Sequence, residues 1–140
     1  MIRTAQARWS GELQTGKGNV KLGSGAFEGP YSFGTRFEGA QGTNPEELLG
    51  AAHAGCYSMA LGFALQKAGH VAESVETTAS VHLEKSDAGF SITKIELKTQ
   101  VKAPGISAAD FARLAEETKH GCIVSRALSA VPMELHATLL

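Results

Sequence analysis

The chain has 140 residues, 43% of them hydrophobic and 19% charged, a size and balance suited to one domain spanning residues 1–140 with its own core. Its formal net charge is −1 and no run of Lys or Arg stands out, so it lacks the electrostatic footprint of a nucleic-acid binder. The longest apolar stretch, residues 51–65, is interrupted by His53, Tyr57, Ser58 and glycines and reads as too short to span a bilayer.

Residues 1–10 carry basic side chains but no apolar core or cleavage site, so no signal peptide is expected and the expected location is the cytoplasm. In a reducing compartment the two cysteines are free thiols at rest. They are then catalytic, metal-binding, or two unrelated buried side chains.

The first third is rich in glycine and reads as short strands joined by turns. Gly16-Lys17-Gly18 separates a strand around residues 4–13 from one around 19–23, and Gly23-Ser24-Gly25 precedes a third near 26–27. Gly29-Pro30 opens an irregular stretch that carries Arg36 in a loop. A helix starts at Asn44-Pro45-Glu46-Glu47: Asn44 suits the N-cap, proline the first turn, and the two acids the positive end of the dipole. It runs to Ala68, with Gly69 as its cap. Its middle is apolar nearly all round, which places it deep in a core or in a subunit interface.

Val75, Thr77, Ala79, Val81 and Leu83 alternate with polar residues in a long half-buried strand. After the turn Ser86-Asp87-Ala88-Gly89, a return strand covers 90–102 with Ile95, Leu97, Thr99 and Val101 on one side. Phe90 and Ile92 fall out of phase with that set, so a β-bulge is expected near Thr93-Lys94. Ser107-Ala108-Ala109-Asp110 begins a second helix with Phe111, Leu114, Ala115 and Thr118 on its buried face. Gly121 ends it, residues 122–129 form a short third helical segment, and Val131, Met133, Leu135, Ala137 and Leu139 mark a closing strand. The order β-β-β-α-β-β-α-β defines an α+β domain.

Cys56 lies in the apolar helix, where a cysteine often serves only as a small hydrophobe. Reactivity requires a thiolate, and therefore a nearby cation or donor. Cys122 stands at the start of a helical segment, where unpaired N–H groups favour the thiolate. Arg36 taken alone is an ordinary loop charge, and Glu46 and Glu47 have an ordinary role at a helix start. His53 and Cys56, one turn apart, together with His120 and Cys122 would make a zinc set of two histidines and two thiolates, although neither half has the usual finger spacing.

The run TRFEGAQGTNPEELLGAAHAGCYSMAL, from Thr35 to Leu61, resembles the central signature of the OsmC branch of the OsmC/Ohr family. The arginine segment, the Asn-Pro-Glu-Glu helix start and the cysteine in an Ala/Gly-rich helix all match. Residues 86–94 and Gly121-Cys122-Ile123-Val124-Ser125 resemble the same branch, so the similarity covers essentially the whole chain. The chain departs from many relatives at Ile123, where they have proline.

The resemblance implies a long apolar central helix packed on antiparallel sheets, in an intertwined homodimer. It also implies a thiol peroxidase without metal, haem or flavin cofactor, reducing organic hydroperoxides in oxidative or osmotic stress. By position Cys56 matches the peroxidatic cysteine, Cys122 the resolving one, Arg36 the arginine held close to the first, and Glu46 the carboxylate that orients it. A dithiol reductant, of the lipoylated-protein kind, would reopen the disulfide; no nucleic acid or membrane enters. Ten residues of straight helix would part Glu46 and Cys56 by roughly 15 Å, so a break is expected between Gly50 and Gly55. Alternatives are a redox sensor or a zinc-stabilised binding module built on the same cysteines.

Overall fold

In the computed structural model, which describes residues Met1–Leu140, three short strands come first: β1 (Ala5–Ser10), β2 (Lys17–Leu22) and β3 (Glu28–Tyr31). They pair antiparallel in the order β1-β2-β3. The third strand lies further along than expected and includes Gly29 and Pro30. Pro30 faces Asn19 on the outer strand of the sheet, where a missing N–H breaks no further ladder.

Arg36 is likewise not in a loop. It lies in a one-turn helix, α1 (Phe33–Phe37), closed by a reciprocal cap in which the Ser32 hydroxyl accepts from the Thr35 N–H and Thr35 Oγ1 accepts from the Ser32 N–H. The capping signal falls on Ser32 and Thr35 rather than on an acid, which is why the pattern reads as a loop.

Helix α2 spans Pro45–Lys67, and its start is as expected, with the Glu47 N–H donating to Asn44 Oδ1 at 2.8 Å. It ends where His70 N–H reaches Leu65 C=O and Gly69 N–H reaches Gln66 C=O, a closure that puts Gly69 at φ +87°, a conformation natural to glycine. No break occurs between Gly50 and Gly55. Gly50 instead lets the helix approach β4 closely, since a Cβ there would stand 3.2 Å from the Ala79 carbonyl oxygen. At 23 residues α2 is long and apolar enough to cross a membrane, so the length argument made from the sequence fails. Its side chains nonetheless form a core stripe: His53, Tyr57, Leu61 and Leu65, at four-residue spacing, are all fully buried. Each buried leucine contributes about 2 kcal/mol of hydrophobic stabilisation.

The stripe belongs to a core built with β4 (Ser74–Ser86), β5 (Gly89–Lys102), α3 (Ala108–Gly121), α4 (Ile123–Ala127) and β6 (Met133–Leu139). Ile95, Leu97, Thr99 and Val101 of β5 are buried as the alternation predicts. The bulge is where the phase change places it: His82 pairs with Lys94 but Leu83 with Ile92, leaving Thr93 as the extra residue. Phe111, Leu114, Ala115 and Thr118 form the buried face of α3, and Ser107 caps it by accepting from the Asp110 N–H. One pairing differs from expectation. β6 runs parallel to β5, so the second sheet is mixed, because the chain returns through α3 and α4 before entering it. The chain divides into two compact units, Met1–Leu48 and Leu49–Leu140.

Candidate active site

In the second unit, α2 presents Cys56 half-buried, and the junction of α3 and α4 presents Cys122 fully buried. Their sulfurs lie 3.0 Å apart with one thiol proton between them. Both cysteines are reduced. Residues 66 positions apart in sequence are thus ready to form a bond with little motion.

Cys122 is at once the C-cap of α3 and the N-cap of α4. Its N–H donates to Thr118 C=O, and its own C=O accepts from the Arg126 N–H. Helix α4 forms without a proline at its first position, which the exposed Ile123 occupies.

The local groups divide the two thiols. Burial pushes Cys56 up, the hydrogen bond with Cys122 pushes it further, and the N–H groups of Val124 and Ile123 only partly offset this. For Cys122, burial also pushes upward. The interactions with Cys56, with the Ser125 N–H and hydroxyl, and with the Val124 N–H outweigh it and hold the thiol below its ordinary value. Within this unit, therefore, the local groups favour the thiolate form of Cys122 more than that of Cys56. The groups acting on Cys56 include no cation.

Sequence inspection weighed His53 only as a zinc ligand and gave Ser125 no role, yet both stand beside the pair. His53, fully buried on α2 one turn before Cys56, has Nε2 2.8 Å from Ser125 Oγ on α4. Burial lowers the His53 pKa, so the ring is neutral near pH 7. The available signal was its position on the Tyr57-Leu61-Leu65 stripe; a polar residue on a buried stripe must have a partner. With His53 bonded to Ser125, and His120 exposed beside Glu116, the zinc set does not assemble. The three side chains that do gather potential ligand atoms are Glu96, Glu134 and His136, on the second sheet.

In the first unit, Arg36 and Glu46 form the expected pair. Arg36 Nη2 lies 2.6 Å from Glu46 Oε1, and Nε lies 3.2 Å from both carboxylate oxygens. Glu46 is buried in the first turn of α2 and fixes the guanidinium plane, while the arginine side chain stays 40% exposed. Around it a cleft of 280 Å³ is lined by Trp9, Leu13, Tyr31, Phe33, Phe37 and Pro45. The guanidinium carbon also sits 5.3 Å from the Phe37 ring centroid.

Comparison with known proteins places the chain among relatives of one family. Residues 38–136 match the family model described as OsmC-like protein. The chain is 53% identical to peroxiredoxin OsmC of Escherichia coli strain K12 over 129 residues, which are 91% of this chain and 90% of that one. It is 34% identical over 87 residues to the organic hydroperoxide resistance protein OhrA of Bacillus subtilis, covering 62% and 60% of the two chains. Among solved structures it superposes on an organic hydroperoxide resistance protein OsmC of Legionella pneumophila with a TM-score of 0.74, at 21% identity and with 99% and 98% coverage.

The fold is that of the OsmC/Ohr proteins, and the kinship with the curated relatives makes the chain a cysteine-based peroxidase. The chain belongs to the OsmC-like protein family.

Proposed function

We propose that the protein, acting as one functional domain of residues 1–140, reduces organic hydroperoxides to alcohols in antioxidant defence, with Cys56 attacking and Cys122 resolving. The observation that carries this reading is the reduced Cys56–Cys122 pair at 3.0 Å in a chain with the kinship just described. Cys56 thiolate attacks the peroxide, an S–O bond forms as O–O breaks, and the alkoxide leaves as the alcohol after protonation. Cys122 then displaces water from the Cys56 sulfenic acid to give a disulfide, which prevents further oxidation. A dithiol, such as a dihydrolipoyl group on a partner protein, restores both thiols by exchange.

In this reading the Arg36 guanidinium, oriented by Glu46, supplies the positive charge that Cys56 needs and a donor to the peroxide oxygens. The aromatic cleft around Arg36 supports an alkyl-bearing substrate, because it offers apolar rings and a single cation. Steady-state assays with a dithiol donor test the proposal. An alkyl hydroperoxide such as cumene hydroperoxide should exceed hydrogen peroxide in kcat/KM by roughly tenfold to a hundredfold, since a few buried methylenes yield that much. Equal values would remove the organic preference, and no turnover with either would remove the activity.

We propose further that the working form is an intertwined cytoplasmic homodimer with both active sites at the subunit interface. Helix α2 leaves Met59 76% and Phe63 59% exposed, an apolar face one turn long that a second chain would bury. The short strands of the first sheet would also gain a sheet to join. Sedimentation at low micromolar concentration should give about twice the 14.6 kDa chain mass, with unfolding that depends on protein concentration. A fully active monomer at that concentration would overturn this assembly.

A further inference from the structure

The mechanism just proposed leaves two buried polar side chains beside Cys122 without a task. We infer that His53 and Ser125 form a buried donor chain that holds Cys122 as the attacking sulfur of the resolving step. The inference rests on the proposed peroxidase cycle and deepens it.

Direction in the chain follows from hydrogen-bond accounting. His53 is fully enclosed, its Nε2 meets Ser125 Oγ at 2.8 Å, and its Nδ1 is buried without any partner. A neutral imidazole carries its proton on one nitrogen. Placing the proton on Nδ1 would bury a donor with nothing to accept it, whereas placing it on Nε2 leaves only an unused lone pair at Nδ1. An orphaned N–H is the costlier fault. We therefore assign the Nε2–H tautomer, in which His53 donates to Ser125 Oγ. With one lone pair so engaged, the Ser125 hydroxyl turns its own proton away from His53.

What that proton faces is set by α4. Ser125 is the third residue of the helix whose N-cap is Cys122, so it stands in the same first turn as the sulfur, at the position whose N–H is ordinarily turned toward the capping residue. The sulfur closes no short capping bond of its own. Yet both groups of Ser125 act on it and favour its thiolate, together with the Val124 N–H. Ser125 is itself buried, so water does not replace its hydroxyl. The two donors in series thus aim positive charge at Cys122 rather than at Cys56.

The chemical step that benefits is disulfide closure. Cys122 thiolate attacks the sulfur of the Cys56 sulfenic acid; the S–S bond forms and the S–O bond breaks. Cys122 is oxidised, Cys56 is reduced from sulfenic acid to disulfide, and the departing hydroxide takes a proton from solvent to leave as water. The proton lost from Cys122 beforehand goes to solvent, so the step is balanced. His53 and Ser125 are positioning residues in this step: they touch neither the peroxide nor Cys56.

The test is rapid-quench mass spectrometry of the full-length protein after one equivalent of cumene hydroperoxide, across a pH series. In Ser125→Ala, Cys56 sulfenic acid should form at the normal rate but close to the disulfide roughly tenfold more slowly at pH 7, the loss expected for one charge-assisted donor. The pH midpoint of closure should also move upward. Ser125→Thr keeps the hydroxyl and His53→Gln keeps a donor at the same place, so both should restore most of the rate. His53→Leu should behave like Ser125→Ala. Ser125→Ala removes a single oxygen and is the variant on which the inference stands if His53→Leu folds poorly. Closure in Ser125→Ala at the normal rate, with an unmoved pH midpoint, would overturn it. Failure of the underlying peroxidase cycle looks different: the unmodified protein would then show no oxidation at Cys56 at all, and the inference would fall with it.

Discussion

Cys56→Ser should abolish peroxide turnover, whereas Cys122→Ser should complete one round and stop. The serine oxygen is a far weaker nucleophile than a thiolate at neutral pH, and the sulfur that remains, Cys122, is buried. In Cys122→Ser the first attack remains possible, but the sulfenic acid has no partner 3.0 Å away and persists or proceeds to sulfinic acid. Intact-mass analysis after one equivalent of alkyl hydroperoxide separates the outcomes. The structure sharpens the stakes of this experiment, because the local groups of the second unit favour charge on Cys122. Oxidation found on Cys122 in Cys56→Ser, and on Cys122 with Cys56 untouched in the parent protein, would exchange the two roles.

The second large effect is expected at Arg36. Arg36→Ala should slow the first chemical step on the order of a hundredfold, the usual loss when one donor to a developing oxyanion is removed. Such a variant also has a structural cost that a loop residue would not have. Glu46 is buried against the guanidinium, and stranding its carboxylate should lower stability by about 1–3 kcal/mol. Glu46→Gln separates the contributions, since it breaks the ion pair but keeps the guanidinium. It should lose much less rate than Arg36→Ala while showing a smaller stability loss. An alkylation titration of Cys56 provides the direct reading: its midpoint should rise in Arg36→Ala. If the midpoint does not move, Arg36 has no part in activating the thiol.

Much of the second unit was legible from pattern because its signals are local and strong. The alternation through Ile95, Leu97, Thr99 and Val101, the phase change at Thr93, and the Phe111-Leu114-Ala115-Thr118 face of α3 each follow from a two-residue or 3.6-residue period meeting one core. Errors fell where the deciding interaction was cross-strand or tertiary. Pro30 is tolerated in β3 because of which neighbour it has, and β6 is parallel because of what precedes it, facts that no window of residues contains. The separation of Glu46 and Cys56 along α2 suggested a break between Gly50 and Gly55, but Gly50 serves a close approach to Ala79. At the site, the roles of Cys56, Cys122, Arg36 and Glu46 came from resemblance, since their spacing alone left several chemistries open. The His53–Ser125 contact joins residues 72 positions apart, and neither belongs to a spacing rule that would announce it.

The double role of Cys122 as the end of one helix and the start of the next has a consequence for signalling. A residue whose N–H and C=O are committed to Thr118 and Arg126 cannot shift its backbone without unwinding a turn on either side. Closing the sulfurs from 3.0 Å to a bond of about 2.05 Å is instead within reach of side-chain torsions. Oxidation would then leave the surrounding surface nearly unaltered, and a partner reading that surface would find little to distinguish the two redox states. Proteins that report oxidant to others depend on a bistable element that the new bond throws from one arrangement to another. A rigid joint of this kind muffles the event, and so suits a molecule that consumes oxidant repeatedly better than one that broadcasts its arrival.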